Sequence, residues 1–511
     1  NTAIGKNALK SNLEGAYNTS IGYWSLTTNT YGSHNTAVGN YALQLNTKGS
    51  YNVATGKSSL QYNTEGNHNT ASGVYALQSN TTGDYNTATG THALESNTTG
   101  NHNTASGAHA LKRNTTGYNN TASGYNALQS NTIGVSNTGT GNEALGSNTT
   151  GDYNTASGAY ALSLNTTGDE NTASGMGALF ENETGTGNTA IGYNALKLNL
   201  VSFNTAIGKY ALRLNTTGGG NTATGYYALE SNTTGDENTA SGMGALLKNE
   251  TGDSNTANGA LALNDNKTGN DNTASGSGAL INNYSGSYNT ACGSRALGFN
   301  LEGNRNTALG YKAGYAIREG NNNVILGYQA DPSASYAKNQ IVIGYNATGT
   351  GDNEIALGNT SISAIKAQVT SITGYSDRRI KREIRDSNLG LEFITKLRPV
   401  KYKLKNPADY PDELLEERFS SVPVSGPNNE NVVRPEDDET VYDGLVAQEV
   451  KETMDELGAE WSGWSKNESD GKEGIQYGAL TIPLIKAIQE QQQMIEELQD
   501  EVQTLKSMLN E

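Results

Sequence analysis

The five histidines are the first residues whose type could do chemistry, and their placement points away from it. His34, His68 and His102 occupy one position of a repeating pattern, and His92 and His109 occupy another. A metal stripe needs tight geometry and further ligands, so these read as exposed polar positions, with no metal and no cofactor expected. Asp169-Glu170 and Asp236-Glu237 offer oxygens suited to Ca²⁺, but isolated loop charges of this kind serve solubility. No pair of carboxylates with a supporting cleft is visible, so glycosidase activity is not indicated. Tyr17, Tyr51, Tyr85, Tyr153 and Tyr288 recur at one position, and Tyr41, Tyr75, Tyr160 and Tyr210 at another. Such tyrosines can offer their faces to sugars or pack as ladders. Asn-Thr-Thr triplets fit the glycosylation sequon, yet the repeat requires Asn and Thr there in any case. Cys292 is the sole cysteine, which excludes an intrachain disulfide and a cysteine metal cluster. The net charge of -17 argues against nucleic-acid and anionic-membrane partners, and no apolar run is long enough for a membrane span.

Chemistry of any kind must be positioned by elements, and here the elements repeat. Of 511 residues, 34% are apolar and 61 are glycine, a composition that suggests disorder until repetition is considered. Asn-Thr-Ala or a close variant recurs every 17 residues from Asn1 to Asn188, takes one 16-residue step to Asn204, and continues at 17 to Asn306. The consensus Asn-Thr-Ala-x-Gly-x-x-Ala-Leu-x-x-Asn-Thr-x-Gly-x-x has leucine at its ninth position in all 18 complete units. The period is too short for helix-pair repeats, and one turn of a β-solenoid fits it. In that reading Thr2, Ala3, Ala8 and Leu9 face inward, Gly5 and Gly15 take corners with positive φ, and Asn at positions 1 and 12 stacks in amide ladders. A single helical turn in the Ala-Leu-x-x-Asn half stays open as an alternative. Prolines begin only at Pro332, as an uninterrupted ladder requires. With about 4.8 Å per coil, 18 coils make a spacer on the order of 90 Å long. The small apolar area per coil predicts association with identical chains, a homotrimer first.

After Asn306 the pattern loosens into Asn323-Val-Ile-Leu-Gly327, Gln340-Ile-Val-Ile-Gly344 and Glu354-Ile-Ala-Leu-Gly358. This stretch resembles the coils of trimeric autotransporter adhesin heads, and the upstream repeat resembles them more loosely. At Ser376 the composition changes: residues 376 to 511 hold 46 charged residues and all but one of the prolines. They close in a heptad run with Ile488, Ile495, Val502 and Leu509 on one seam and Gln491, Leu498 and Leu505 on the other, which predicts a coiled coil of two or three strands from about residue 484. Expected domains are thus a solenoid shaft over 1–322, an irregular β-roll and stalk over 323–375, and an α+β domain over 376–511. The chain opens at Asn1 with neither Met nor a signal-like segment, and reads as a piece of something longer.

Ser376-Asp-Arg-Arg-Ile-Lys381, Leu389-Gly-Leu, Leu397-Arg-Pro-Val-Lys-Tyr402 and Gly444-Leu-Val-Ala-Gln-Glu-Val450 follow one another in this last domain. Together they resemble the C-terminal intramolecular chaperone of phage tailspikes and tail fibres, the endosialidase-type self-cleaving serine peptidase. The resemblance implies that the domain trimerises the fibre and is released by cleavage between Tyr375 and Ser376, with Ser376 as nucleophile and Lys381 as activating base. Where the family often carries a histidine, this chain has Tyr442-Asp443. The chemistry is coherent: a serine hydroxyl needs a base, and lysine serves if desolvation or neighbours such as Arg378, Arg379 and Arg382 lower its pKa. On residue types alone, Ser376 caps a helix and Lys381 is a solvated member of a basic run. The expected function is a structural and adhesive fibre of a virion appendage, such as a phage tail fibre in host attachment, whose only enzymatic activity is autocatalytic cleavage. Its partners would be two further copies and a host or cell-surface receptor, a glycan among the candidates. The alternative is a bacterial cell-surface trimeric adhesin using the same module, which would be extracellular rather than part of a virion.

Overall fold

A computed structural model describes residues 1–362, 378, 381–405, 411, 439–466 and 471–509. The chain divides into two compact units, Asn1–Leu357 and Gly358–Glu511.

The first unit is a parallel β-solenoid. Its 22 strands, each three residues long, run from Thr2–Ile4 to Ile355–Leu357 and pair in sequence order into one sheet. The register is the sequence period: Thr2 lies beside Thr19, and Thr104 beside Thr121. The step shortens to 16 at Thr189 and Thr205, and to 14 at Ile341 and Ile355. Rings on successive coils sit 4.8 Å apart, the spacing of hydrogen-bonded strands, so the stack extends about 100 Å. Outside the strands the backbone keeps pairing along the same axis, as where Leu43 N–H donates to Ser59 O at 3.0 Å. The Ala-Leu-x-x-Asn half is a chain of turns, not a helix.

Strand alternation decides what is inside. Beyond the first coil, where Ala3 is exposed and Ala8 and Leu9 are half-buried, Ala at positions 3 and 8 and Leu at position 9 are fully buried and merge into one core cluster along the stack. Threonine at position 2 was expected among them and instead faces outward, because its neighbour Ala at position 3 takes the inward place. Every position-9 leucine has positive φ, for example 50° at Leu43 and 51° at Leu77. A left-handed non-glycine residue costs about 1–2 kcal/mol, and complete burial of leucine returns about 1.5–3 kcal/mol, so burial outweighs the strain.

Two ladders of buried asparagine hold the coils in register. At position 12, Asn46 Nδ2 donates to Asn29 Oδ1 at 2.7 Å, and the pattern repeats coil after coil. At position 1 the ladder runs mainly through the backbone: Asn35 N–H donates to Asn18 Oδ1 at 2.9 Å. Both side-chain amides of a coil also converge on one carbonyl, as Asn18 and Asn29 do on Gly32 O at 2.8 and 2.9 Å. That convergence explains Gly15 and its copies. They lack the positive φ expected of them, but a Cβ on Gly15 would lie 2.6 Å from Asn12 Oδ1 and 2.7 Å from Asn29 Nδ2. Gly5 does have positive φ, at 131°. Threonine at position 13 adds a third ladder, Thr47 Oγ1 donating to Thr64 O at 2.9 Å.

The 16-residue coil shows where the fold tolerates a missing residue. Asn188 and Asn199 redirect their amides to Val201 O, at 2.8 and 2.6 Å, and the position-12 ladder passes through Asn199 to Asn215 at 2.8 Å. The deletion is absorbed in the loop after position 12, and the core leucines Leu196 and Leu212 stay buried.

The second unit is α+β. Helices α1 (Leu391–Lys396), α2 (Ala447–Glu456) and α3 (Thr481–Leu509) accompany two antiparallel strand pairs, Val400–Tyr402 with Tyr442–Gly444 and Trp464–Lys466 with Glu473–Ile475. A small core joins Leu389, Phe393, Val450, Met454 and Trp461, with the Phe393 and Trp461 rings 5.7 Å apart. Helix α3 runs 29 residues, and along it only Pro483 and Ala487 are buried.

Candidate functional site

The motifs of the second unit fold into one another. Leu389 enters the core, and Gly390 leaves room for the Glu490 carboxylate of α3, which accepts the Leu391 N–H at 2.7 Å and so covers the start of α1. No side chain of α1 itself caps that end, so the sequence Leu-Gly-Leu is a docking point for a helix 99 residues away. Arg398 forms a two-pronged ion pair with Glu449, one prong at 3.0 Å, and the guanidinium holds the Glu449 carboxyl below its usual range. That pair ties Leu397-Arg-Pro to Ala-Gln-Glu. Gly444 packs beneath Tyr477 and Tyr402, and the Tyr477 hydroxyl accepts the Leu445 N–H at 2.8 Å. Tyr442, where the related pattern often has histidine, stacks on Tyr402 across the strand pair at 5.8 Å.

Tyr375 and Ser376, the expected cleavage site and nucleophile, lie outside the described residues, as does Arg379. Lys381 is described: it is exposed, and its backbone N–H donates to Arg378 O at 3.2 Å. Arg378 and Arg382 are exposed beside it.

On the solenoid, the candidate residues have structural partners. Tyr17, His34, Tyr51, His68, Tyr85 and His102 form one continuous stack with centroids 4.8–5.1 Å apart. Each inner ring has a neighbour on both faces, so the stack turns edges, not faces, to solvent. Tyr75, His92 and His109 form a second stack, in which burial first and the Lys112 ammonium second push the His109 pKa down. His92 Nδ1 lies 2.9 Å from Glu95 Oε2. Among the described residues no group of three or more His, Cys, Asp or Glu could hold a metal ion, and no helix is long and apolar enough to cross a membrane.

The first residue of each acidic pair belongs to a further ladder, at position 16. Asp169 Oδ1 accepts the Asp152 N–H at 2.7 Å, and Asp236 Oδ1 accepts the Gly219 N–H at 2.7 Å. Near the start of the stack, Asn67 Oδ1 likewise accepts the Ser50 N–H at 2.9 Å, and Ser50 Oγ the Ser33 N–H at 3.1 Å. The signal was present as short acceptors, Ser, Asn or Asp, at position 16. The sequon asparagines are equally committed: Asn97 and Asn114 are fully buried, with Nδ2 donating to two acceptors each.

Residues 376–459 match the family model described as chaperone of endosialidase. No curated protein matches the chain, and no solved structure does. That family implies trimerisation, and a chaperone of this kind behind a β-solenoid fits a trimeric fibre-like protein.

Proposed function

We propose that this chain is the shaft and assembly module of a homotrimeric fibre, an appendage of a virion such as a phage tail fibre, which attaches to a receptor on the host surface. The observation that carries the reading is the chaperone-of-endosialidase match at 376–459, in the chain of a 22-stranded solenoid. Helix α3 supports it: Ile488, Leu498 and Leu505 on the expected coiled-coil seams are exposed on the single chain, at 63, 59 and 59%. A coiled coil with two further copies would cover them.

Once three copies are aligned, the chaperone is released. Lys381 takes the Ser376 Oγ proton and Oγ bonds to the Tyr375 carbonyl carbon. The Tyr375–Ser376 C–N bond breaks as the proton passes to the nitrogen, leaving an ester that water hydrolyses to a Tyr375 carboxylate and a free Ser376 hydroxyl. Lys381 is exposed on one chain, so the desolvation that would make it a base falls to the closed trimer. Mass spectrometry of the purified protein tests the cleavage. Two fragments are expected, one ending at Tyr375 and one beginning at Ser376, and Ser376→Ala leaves one full-length species. Cutting of that variant at the same bond would remove Ser376 as the nucleophile.

A further inference from the structure

The strand face of the solenoid carries a pattern that the ladders do not explain. Positions 2 and 4 of each coil point outward on either side of position 3, which is buried in all but the first and last strands, and most are well exposed. Across all 22 strands these two positions contain no Asp, Glu, Lys, Arg or His. Most are hydroxyl residues, such as Thr121 and Ser123, interrupted by aliphatic residues at both ends, such as Ile4 and Ile21 at one and Leu309 and Ile343 at the other, and at Ile191 and Ile207 beside the 16-residue coil. The segments that flank the strands do admit charge: position 17 holds Glu170, Glu237 and Arg305 in some coils, and position 6 holds Lys57 and Lys209. A chain of net charge -17 that leaves one face without charge over its whole length is keeping that face for contact, since depletion of charge marks the centre of an interface more reliably than hydrophobicity does.

We propose that this face, positions 2 and 4 of the coils, is the surface through which three copies of the solenoid pack around a common axis. The inference rests on the trimeric reading above and names the surface that serves it. A strip three residues wide and about 100 Å long offers roughly 1,000 Å² per chain, about 500 Å² toward each of two neighbours, so each pair of chains buries about 1,000 Å² in total, at the lower bound for a specific interface. Closed rotational symmetry brings equivalent residues to one level on the axis, so threonine meets threonine and isoleucine meets isoleucine. Ser and Thr suit such a place: they are small enough for close approach and can hydrogen-bond to their own copies. The aliphatic coils at both ends and at Ile191 and Ile207 supply the dry contacts that a hydroxyl stripe lacks.

The chain carries its own probe, because Cys292 is position 4 of the strand Thr290–Cys292 and is exposed on the single chain. In the purified full-length protein, mild oxidation should link Cys292 of one copy to Cys292 of another, giving a disulfide dimer on a denaturing gel with one chain of each trimer left over. A bulky polyethylene-glycol maleimide should fail to label Cys292 before denaturation. Ser123→Cys in a Cys292→Ser background should behave alike, whereas Thr251→Cys in that background, on an exposed loop position, should be labelled and stay unlinked. Sedimentation separates the two readings. A trimer whose Cys292 is labelled freely and never links overturns the surface assignment and leaves the trimer standing, a result that would also leave the hydroxyl stripe open to an external ligand. A monomer overturns both.

Discussion

The two units are held together in opposite ways. In the solenoid a bond is defined by a sequence separation, and the same 17-residue or 14-residue bond recurs wherever the coil recurs. In the C-terminal unit the described bonds that join distant segments differ one from another: Leu391 to Glu490 spans 99 residues and Arg398 to Glu449 spans 51. Repetition makes the first unit easy to extend and leaves its register degenerate. A chain that slips by 17 residues against its neighbours re-forms nearly every contact. Uniqueness makes the second unit unable to slip, which is the property that an aligning device must have.

Removing residues 376–511 is therefore the most damaging test of this contrast. Without the aperiodic unit, chains 1–375 should give monomers and mis-registered aggregates by light scattering. A soluble trimer of normal size from the truncated chain would show that the repeat can set its own register.

Within the solenoid the contrast becomes one of whole against partial periods. Deleting residues 120–136 joins Asn119 to Asn137 with every buried position still in register, and the fibre should lose one rise of about 4.8 Å. Deleting only 120–127 puts Leu128 at a ladder asparagine and Ser136 at a core leucine, and that protein should fail to fold at the junction. The natural 16-residue coil sharpens the expectation, because its missing residue falls in the loop around Val201 and leaves both the amide ladder and Leu196 in place. Equal tolerance of the two deletions, read by circular dichroism and electron microscopy, would mean that the period has no structural register.

How much of this was legible depended on whether position in the period decides the role. Positions 3, 8 and 9 could be placed inside from recurrence alone, which holds from the second coil on although Ala3 in the terminal coil is exposed, and the position-12 ladder followed from the chemistry of stacked amides. Recurrence alone reads position 2 as buried, although alternation about position 3 sends its threonine out. The left-handed leucines could not be read, since intrinsic preference argues against them and only the packed core overrides it. In the second unit, period has no meaning. The motifs could be recognised by resemblance, but the Arg398–Glu449 pair and the Glu490 cap become visible only when distant segments meet.

A single ladder residue probes the repeat at a smaller scale. Asn114 Nδ2 donates to Asn97 Oδ1 and to Gly117 O, and its Oδ1 accepts from Asn131. Asn114→Ala deletes all three bonds and leaves the buried Asn97 Oδ1 without that donor, a loss of about 3 kcal/mol. The thermal transition should fall measurably, and hydrogen exchange should rise in the adjoining coils and fade within a few, because each coil contacts only its neighbours. An increase spread evenly over 1–357 would argue for global rather than nearest-neighbour cooperativity.

The smallest effect expected is at Asp331, where the repeat gives way to less regular coils. Its carboxylate accepts the Ala316 N–H at 3.0 Å, yet burial dominates and lifts its pKa to about 6. That is above the 3.8 of the unfolded group, so between about pH 4 and pH 6 the folded state holds more proton than the unfolded one. Stability must then fall as pH rises through that window and stay at its lower value above it, the reverse of an ion-paired aspartate. Asp331→Asn keeps an oxygen for Ala316 without the charge. It should match the wild type near pH 4 and exceed it by about 1–2 kcal/mol at pH 7, with the gain opening between those values. Hydrogen exchange at Ala316 is the local readout, since the last coils of a stack open before the interior does. A wild type that gains stability relative to Asp331→Asn as pH rises would mean that the Ala316 and Tyr315 amides outweigh burial, and that the irregular coils are held by charge as the regular ones are held by amides.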